Sequence, residues 1–113
     1  MAYTMRKHSR YPCLGVAEIK TSQDTTMPMI MTSMLYNISP SGLKCSAFEE
    51  LPEGTSLVVD IYEFMGMNVQ AEIEGTVAWS SNTGTMGIQF TKELDQAQYP
   101  ELCELICSRN SNL

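Results

Sequence analysis

A chain of 113 residues with 43% hydrophobic and 18% charged residues has the length and composition of one ordinary globular domain. Its apolar runs are short and interrupted, well under the ~20 residues of a membrane-spanning helix, and the basic N-terminus lacks the apolar stretch of a secretory signal. The net charge of −6 argues against a general binder of nucleic-acid polymers, which needs a basic surface, and a cytoplasmic protein with no membrane span is expected.

The charge is unevenly spread. Residues 1–12 hold Arg6, Lys7 and Arg10 and no acid, whereas residues 13–113 hold four basic and thirteen acidic side chains, a net −9. A short cationic arm on an acidic body suits a small anion better than a polyanion, whose outlying phosphates would meet repulsion. Charge alone does not distinguish such an arm from a solvated basic tail.

After Pro12, the residues Leu14, Val16, Ala17 and Ile19 predict a first strand, and 21–28 is a polar loop punctuated by Pro28. Residues 29–38 are apolar at both alternating sets of positions and predict a buried strand. Ser39, Pro40, Ser41 and Gly42 then make a turn, after which Leu43, Cys45 and Ala47 alternate with Lys44 and Ser46. Beyond a turn at 52–54, Leu57, Val59 and Ile61 alternate with Val58, Asp60 and Tyr62. The longest period-two run sets Val69, Ala71, Ile73, Gly75, Val77 and Trp79 against Gln70, Glu72, Glu74, Thr76 and Ala78. Its glycine predicts a bend or bulge at Gly75, and its pattern puts Trp79 among core positions. A polar hairpin loop at 80–84 leads to an inward row of Met86, Ile88 and Phe90.

Pro100 stands where the first turn of a helix accepts proline, with Glu101 at the positive end of the helix dipole and a stripe of Leu102, Cys103, Leu105, Ile106 and Cys107 behind it. Six short strands at close intervals predict an all-β barrel or sandwich, with the helix over one opening. The nine methionines are expected in the core, filling irregular gaps.

Little here points to chemistry. The cysteines Cys13, Cys45, Cys103 and Cys107 imply no disulfide framework without a secretory signal. Cys103 and Cys107, one helical turn apart, read as small hydrophobes on a packed face. His8 is the only histidine and there is no CxxC or HxxxH spacing, so neither a metal nor another cofactor is expected. No nucleophile, base and orienting group form a set, and His8 lies among basic residues in the arm, so the chain is not expected to be an enzyme.

Two segments stand apart from the packing pattern: Arg6-Lys7-His8-Ser9-Arg10, an RxxxR, and Asn37-Ile38-Ser39-Pro40-Ser41-Gly42, an NxSxxG where a strand gives way to a turn. Turn chemistry alone accounts for each residue of the second. In this order, about thirty residues apart with a strand between, the two segments resemble the signature motifs of the PilZ domain family. Gly75-Thr76-Val77-Ala78-Trp79 and Gly87-Ile88-Gln89-Phe90 resemble that family's later strands.

The resemblance implies a single domain over 1–113: a ligand-binding arm at 1–12, a six-stranded antiparallel PilZ-type β-barrel at 13–98 and a C-terminal helix at 99–110. It implies as ligand cyclic di-GMP, a dianionic ring of two guanosines, held by Arg6, Lys7, Arg10, Asn37, Ser39 and Gly42. It also implies a downstream protein, not identified by the sequence, to which binding is relayed. Arginine can fork donors onto phosphate or guanine O6 and N7 and can stack on a base. Asn37 and Ser39, two apart, point to one face of a strand with an amide and a hydroxyl, and Gly42 lets a ligand approach the backbone. The resemblance adds Trp79 as a peripheral contact.

Two departures from the family pattern matter. Met5 stands where many members carry a further arginine, which favours one ligand per chain over two, and Asn37 stands where many have aspartate. A PilZ-like protein-interaction module with little nucleotide affinity is the alternative reading. A single-stranded nucleic-acid binder is disfavoured by the acidic body.

Overall fold

The computed structural model describes residues 13–21 and 29–111, with side chains through Cys107. The elements are β1 (Gly15–Thr21), β2 (Ile30–Ser39), β3 (Gly42–Ser46), β4 (Ser56–Phe64), β5 (Met67–Ser80), β6 (Thr85–Phe90) and α1 (Pro100–Ser111). Every strand pairing is antiparallel, and the order β1-β2-β3-β6-β5-β4 closes into a barrel where β4 returns to β1. This is the six-stranded antiparallel barrel with a C-terminal helix that the resemblance implied, and it decides between the barrel and the sandwich that the strand pattern left open. Closure leaves no unpaired sheet edge within the barrel.

The period of two decides which side chains enter the core. Ala17 and Ile19 of β1, Val59 and Ile61 of β4, and Met86 and Ile88 of β6 all lie inside at 2% exposure or less. Full burial of such aliphatic side chains contributes roughly 1.5–3 kcal/mol each, so these inward rows dominate the stability of the barrel. Cys45 joins them: burial pushes its thiol up to about 12, so it packs as an uncharged small hydrophobe.

Three expectations change. Strand β2 is not buried on both faces, because Ile30 is 66% and Met34 45% exposed on the outer side while Met31 and Leu35 face inward. Alternation outranks composition, since a barrel wall has a wet side whatever residues occupy it. The methionines likewise divide between the core (Met31, Met86) and the surface (Met34, Met65, Met67).

The register slip of β5 against β6 lies not at Gly75 but at Ala78, between Val77 paired to Ile88 and Trp79 paired to Gly87. Gly75 pairs regularly with Leu57 and Phe90. A Cβ there would come within 2.6 Å of the Gln89 carbonyl oxygen, so its glycine serves close backbone packing rather than a bend.

Helix α1 closes the assembly through Leu102 and Ile106, both buried. The Tyr99 hydroxyl, just before it, donates to the backbone carbonyl of Glu72 at 2.6 Å. Burial, and then the Glu72 and Glu74 carboxylates, push that phenol up, so it stays a donor in neutral water. The Leu94 N–H donates to the Pro40 carbonyl at 2.9 Å, tying the approach to α1 to the β2–β3 turn. Among the described residues no helix is long and apolar enough to cross a membrane.

Gly15 tests the closure of the barrel. It pairs with Leu35 of β2 and Phe64 of β4, and a Cβ there would meet the Glu63 backbone carbonyl, which has no room to yield. Gly15→Ala is expected to lower unfolding stability by about 1–3 kcal/mol, the usual cost of overpacking. Urea denaturation at equal protein concentration measures it, and an unchanged midpoint would show that the β1–β4 seam is looser than this geometry.

Candidate functional site

Two β-bulges set the outer surface that bears on function. In β2 the register with β3 slips between Leu35, opposite Cys45, and Asn37, opposite Lys44, leaving Tyr36 as the extra residue. Leu35 is buried, and regular alternation would send Asn37 into the core after it. The bulge instead turns Asn37 and Ser39 outward, both exposed, and Ile38 inward. The bulge at Ala78 does the same to Trp79, which follows buried Val77 yet stands outside at 40% exposure. Placing Trp79 in the core therefore needs correction, because the extra residue reverses the phase of the strand.

Register then assembles the site. Asn37 pairs with Lys44, Lys44 with Gly87, and Gly87 with Trp79, so one cross-strand row runs over β2, β3, β6 and β5. At ~4.8 Å per strand the row spans roughly 14 Å. The Trp79 indole lies over Gly87, where a Cβ would collide with the ring. The next row joins Ser39, Gly42, Gln89 and Thr76. Gly42 is required by its own wall, since a Cβ would meet the Ile88 carbonyl oxygen on the neighbouring strand. Asn37, Ser39, Gly42 and Lys44 share a shallow concavity of about 190 Å³.

The side chains have local partners. The Asn37 Oδ1 accepts the Ile38 N–H at 2.9 Å, leaving both amide hydrogens and a second lone pair for another group. The Ser39 hydroxyl accepts the Ser41 N–H at 3.3 Å and lies 3.4 Å from the Gly42 carbonyl, so it also braces the turn. The wall presents donors and acceptors together with an indole face, and no nucleophile is paired with a base among these residues.

Electrostatics separate the two halves of the barrel. The contiguous wall β2–β3–β6 contains no carboxylate and includes Lys44. The contiguous wall β5–β4–β1 carries Glu18, Asp60, Glu63, Glu72 and Glu74, with Glu18, Asp60 and Glu72 in one cross-strand row. Lys20 approaches Asp60 at 3.9 Å, a half-exposed pair that contributes little. Two larger hollows, of about 520 and 600 Å³, lie along this acidic side and share Glu72 and Glu74. Despite their size they would repel an anion, whereas the small concavity beside Lys44 would not.

Of the residues expected to bind, Asn37, Ser39 and Gly42 come together on the carboxylate-free wall, while Arg6, Lys7 and Arg10 lie outside the described residues. The pattern had left Lys44 unmarked, as an ordinary solvent-facing position in an alternating strand. Only its pairing with Asn37 and Gly87 sets it beside the others, and no sequence signal short of strand register would have found it.

Comparison with known proteins gives one family: the family model described as PilZ domain matches residues 4–106, a span that takes in both the RxxxR segment and residues 37–42. No curated protein and no solved structure matches the chain.

Trp79 is the only tryptophan, so its fluorescence reads this wall directly. Gly87→Ala is expected to push the indole off the strand and shift its emission to longer wavelength as more of the ring meets water, with the circular dichroism of the barrel retained. An unchanged spectrum in a folded variant would mean that the indole does not rest on Gly87.

Proposed function

The chain belongs to the PilZ domain family, and on that premise we propose that it is a receptor for cyclic di-GMP, bound on the β2–β3–β6 wall and held there by the basic arm. PilZ domains are binding modules for this dinucleotide rather than enzymes. The observation that carries the reading is the cross-strand row in which Asn37, Lys44 and Gly87 stand on a wall without carboxylates and Trp79, from the adjoining β5, ends the row. A dianion with two purine faces needs cations, edge-reading amides and a flat surface, and this row offers all three.

Roles follow from chemistry. Arg6 and Arg10 fork donors onto phosphate oxygens or guanine O6 and N7, and Lys7 adds a mobile point charge. Asn37 pairs with a guanine edge through its amide, and Ser39 exchanges its turn contact for one to the ligand. Gly42 keeps the wall flat enough for close approach. Lys44 supplies a cation from the barrel itself, on a chain whose Met5 offers none before the RxxxR. Trp79 gives a base a platform to lie against.

The wall alone is too small. Its concavity of about 190 Å³ falls below the range of roughly 300–1,000 Å³ usual for small-ligand sites. A complete site therefore needs a second side, which residues 1–12 supply in this reading. Engagement of the arm by the ligand is the conformational change that a downstream protein reads. The receptor works in the cytoplasm and needs no cofactor.

Isothermal titration of the full chain with cyclic di-GMP is expected to give saturable binding near one ligand per chain, weakening as salt rises. Arg10→Ala is expected to weaken it by about 10–150-fold, the loss of charge-assisted hydrogen bonds worth about 1.5–3 kcal/mol. Asn37→Ala is expected to do comparable damage. Wild-type affinity in both variants would move the site elsewhere, and no heat at any concentration would leave the protein-interaction reading in its place.

Base discrimination is the second test. Adenine carries a donor at N6 where guanine carries the O6 acceptor, so cyclic di-AMP is expected to bind at least about fivefold more weakly, one mismatched edge costing roughly 1–3 kcal/mol. Quenching of Trp79 fluorescence by cyclic di-GMP should accompany binding. Equal affinity for the two rings would mean that phosphate charge alone is recognised.

A further inference from the structure

The turn that bears Ser39 has a second side. Pro40, in its middle, forms one wall of a separate groove of about 570 Å³, whose other walls are Leu94, Pro100, Cys103, Ile106 and Cys107. Among the described residues the lining is mainly apolar, with Gln96 and Glu104 as its polar members and no basic side chain. Burial, then the Asp95 carboxylate and Cys107, push the Cys103 thiol up, so it stays an uncharged contact surface beside an acid. Of the carboxylates nearby, Glu104 lines the groove and Asp95 lies close enough to Cys103 to act on its thiol. Helix α1 spans twelve residues, roughly 18 Å of helix axis, which matches about three turns of a helix laid beside it.

The groove and the candidate ligand site share one piece of backbone. The Leu94 N–H donates to the Pro40 carbonyl at 2.9 Å, and the Phe90 N–H donates to the Ser41 carbonyl at 2.9 Å. Ser39 and Gly42 face the wall described above while Pro40, between them, faces α1. A ligand that displaces Ser39 from its turn contacts therefore moves a wall of the groove.

We propose that this groove is the output surface, and that its occupant is a basic amphipathic helix of another protein, with apolar anchors at i and i+4 set among lysines or arginines. Charge selects that occupant. An apolar floor beside Asp95 and Glu104 favours apolar anchors flanked by cations. A second copy would bring its own acidic rim and a net −6, and an anionic lipid surface would meet the same repulsion. The inference rests on the receptor reading only for its coupling to cyclic di-GMP; the groove and its charge stand apart from it.

The test selects from a phage-displayed library of randomised helical peptides against the full chain, with and without cyclic di-GMP. Enriched peptides are expected to carry leucine-like residues at i and i+4 with lysine or arginine between. One such peptide, synthesised, should shift the amide resonances of residues 94–107 and of Ser41. Gln96→Lys combined with Glu104→Lys, both at exposed positions, should weaken it at least about tenfold while the chain stays folded, and saturating cyclic di-GMP should change its affinity by at least about fivefold, the low end of ordinary coupling.

Enrichment of acidic or uncharged peptides, no enrichment, or resonance shifts confined to other parts of the barrel would overturn the proposal, as would self-association through residues 94–107. If cyclic di-GMP binds with no effect on the peptide, the coupling falls while the receptor reading stands. If the peptide binds there and the chain takes up no cyclic di-GMP, the receptor reading falls and the basic-helix groove remains.

Discussion

The pairing of β3 with β6 is the contact on which the remaining geometry depends, because it joins strands separated by some forty residues of chain and completes the barrel wall that carries the site. It requires two glycines. Gly42 lies so close to the Ile88 carbonyl that no side chain fits, and Gly87 lies beneath the Trp79 indole. Hairpins supply β2–β3, β4–β5 and β5–β6 locally, but without β3–β6 the NxSxxG turn and Trp79 would stand towards opposite ends of an open sheet, linked only by way of β1. Non-local pairings of this kind incur a loop-closure entropy that only the finished core offsets.

Bulges do for this barrel what a change of residue could not. A strand that keeps strict alternation shows the same face along its length, so the core residues Leu35 and Val77 would drag Asn37 and Trp79 inside with them. One extra residue in each strand, Tyr36 and Ala78, reverses the phase and turns Asn37 and Trp79 to the outer wall. A buried, unpaired amide costs roughly 1–3 kcal/mol or more, so exposure of Asn37 relieves the core as well as offering a contact.

The same closed order sorts charge. Chain order interleaves acid-free and acid-bearing strands, but spatial order groups β2, β3 and β6 on one side and β5, β4 and β1 on the other. A net-negative protein thereby keeps one face fit for an anion, and the acidic remainder disfavours a polyanion that would have to cross it. The turn at 39–42 stands where that face meets the approach to α1. Through the Pro40 and Ser41 carbonyls it bonds to the strand end and loop that lead to the helix, so the candidate site and the groove at α1 share one turn.

The sequence by itself determined the strands, the all-β class and the terminal helix, because period-two alternation and turn residues are local and write themselves into neighbouring positions, while the choice of barrel over sandwich came only with the family resemblance. It also marked Asn37, Ser39 and Gly42, since an amide, a hydroxyl and a glycine at a strand end are legible as a motif. It misjudged Ile30 and Met34, whose apolar character said nothing about which wall face they occupy, and it placed Trp79 in the core because a bulge leaves no local signature apart from its effect on register. The placement of Lys44 was beyond it altogether: a lysine in an alternating strand is ordinary until a strand from later in the chain pairs beside it. Only the tertiary structure decided which outward residues stand together and on which side the carboxylates gather, because adjacency across a barrel depends on strand order and register, and both are settled by packing of the whole core rather than by any one segment.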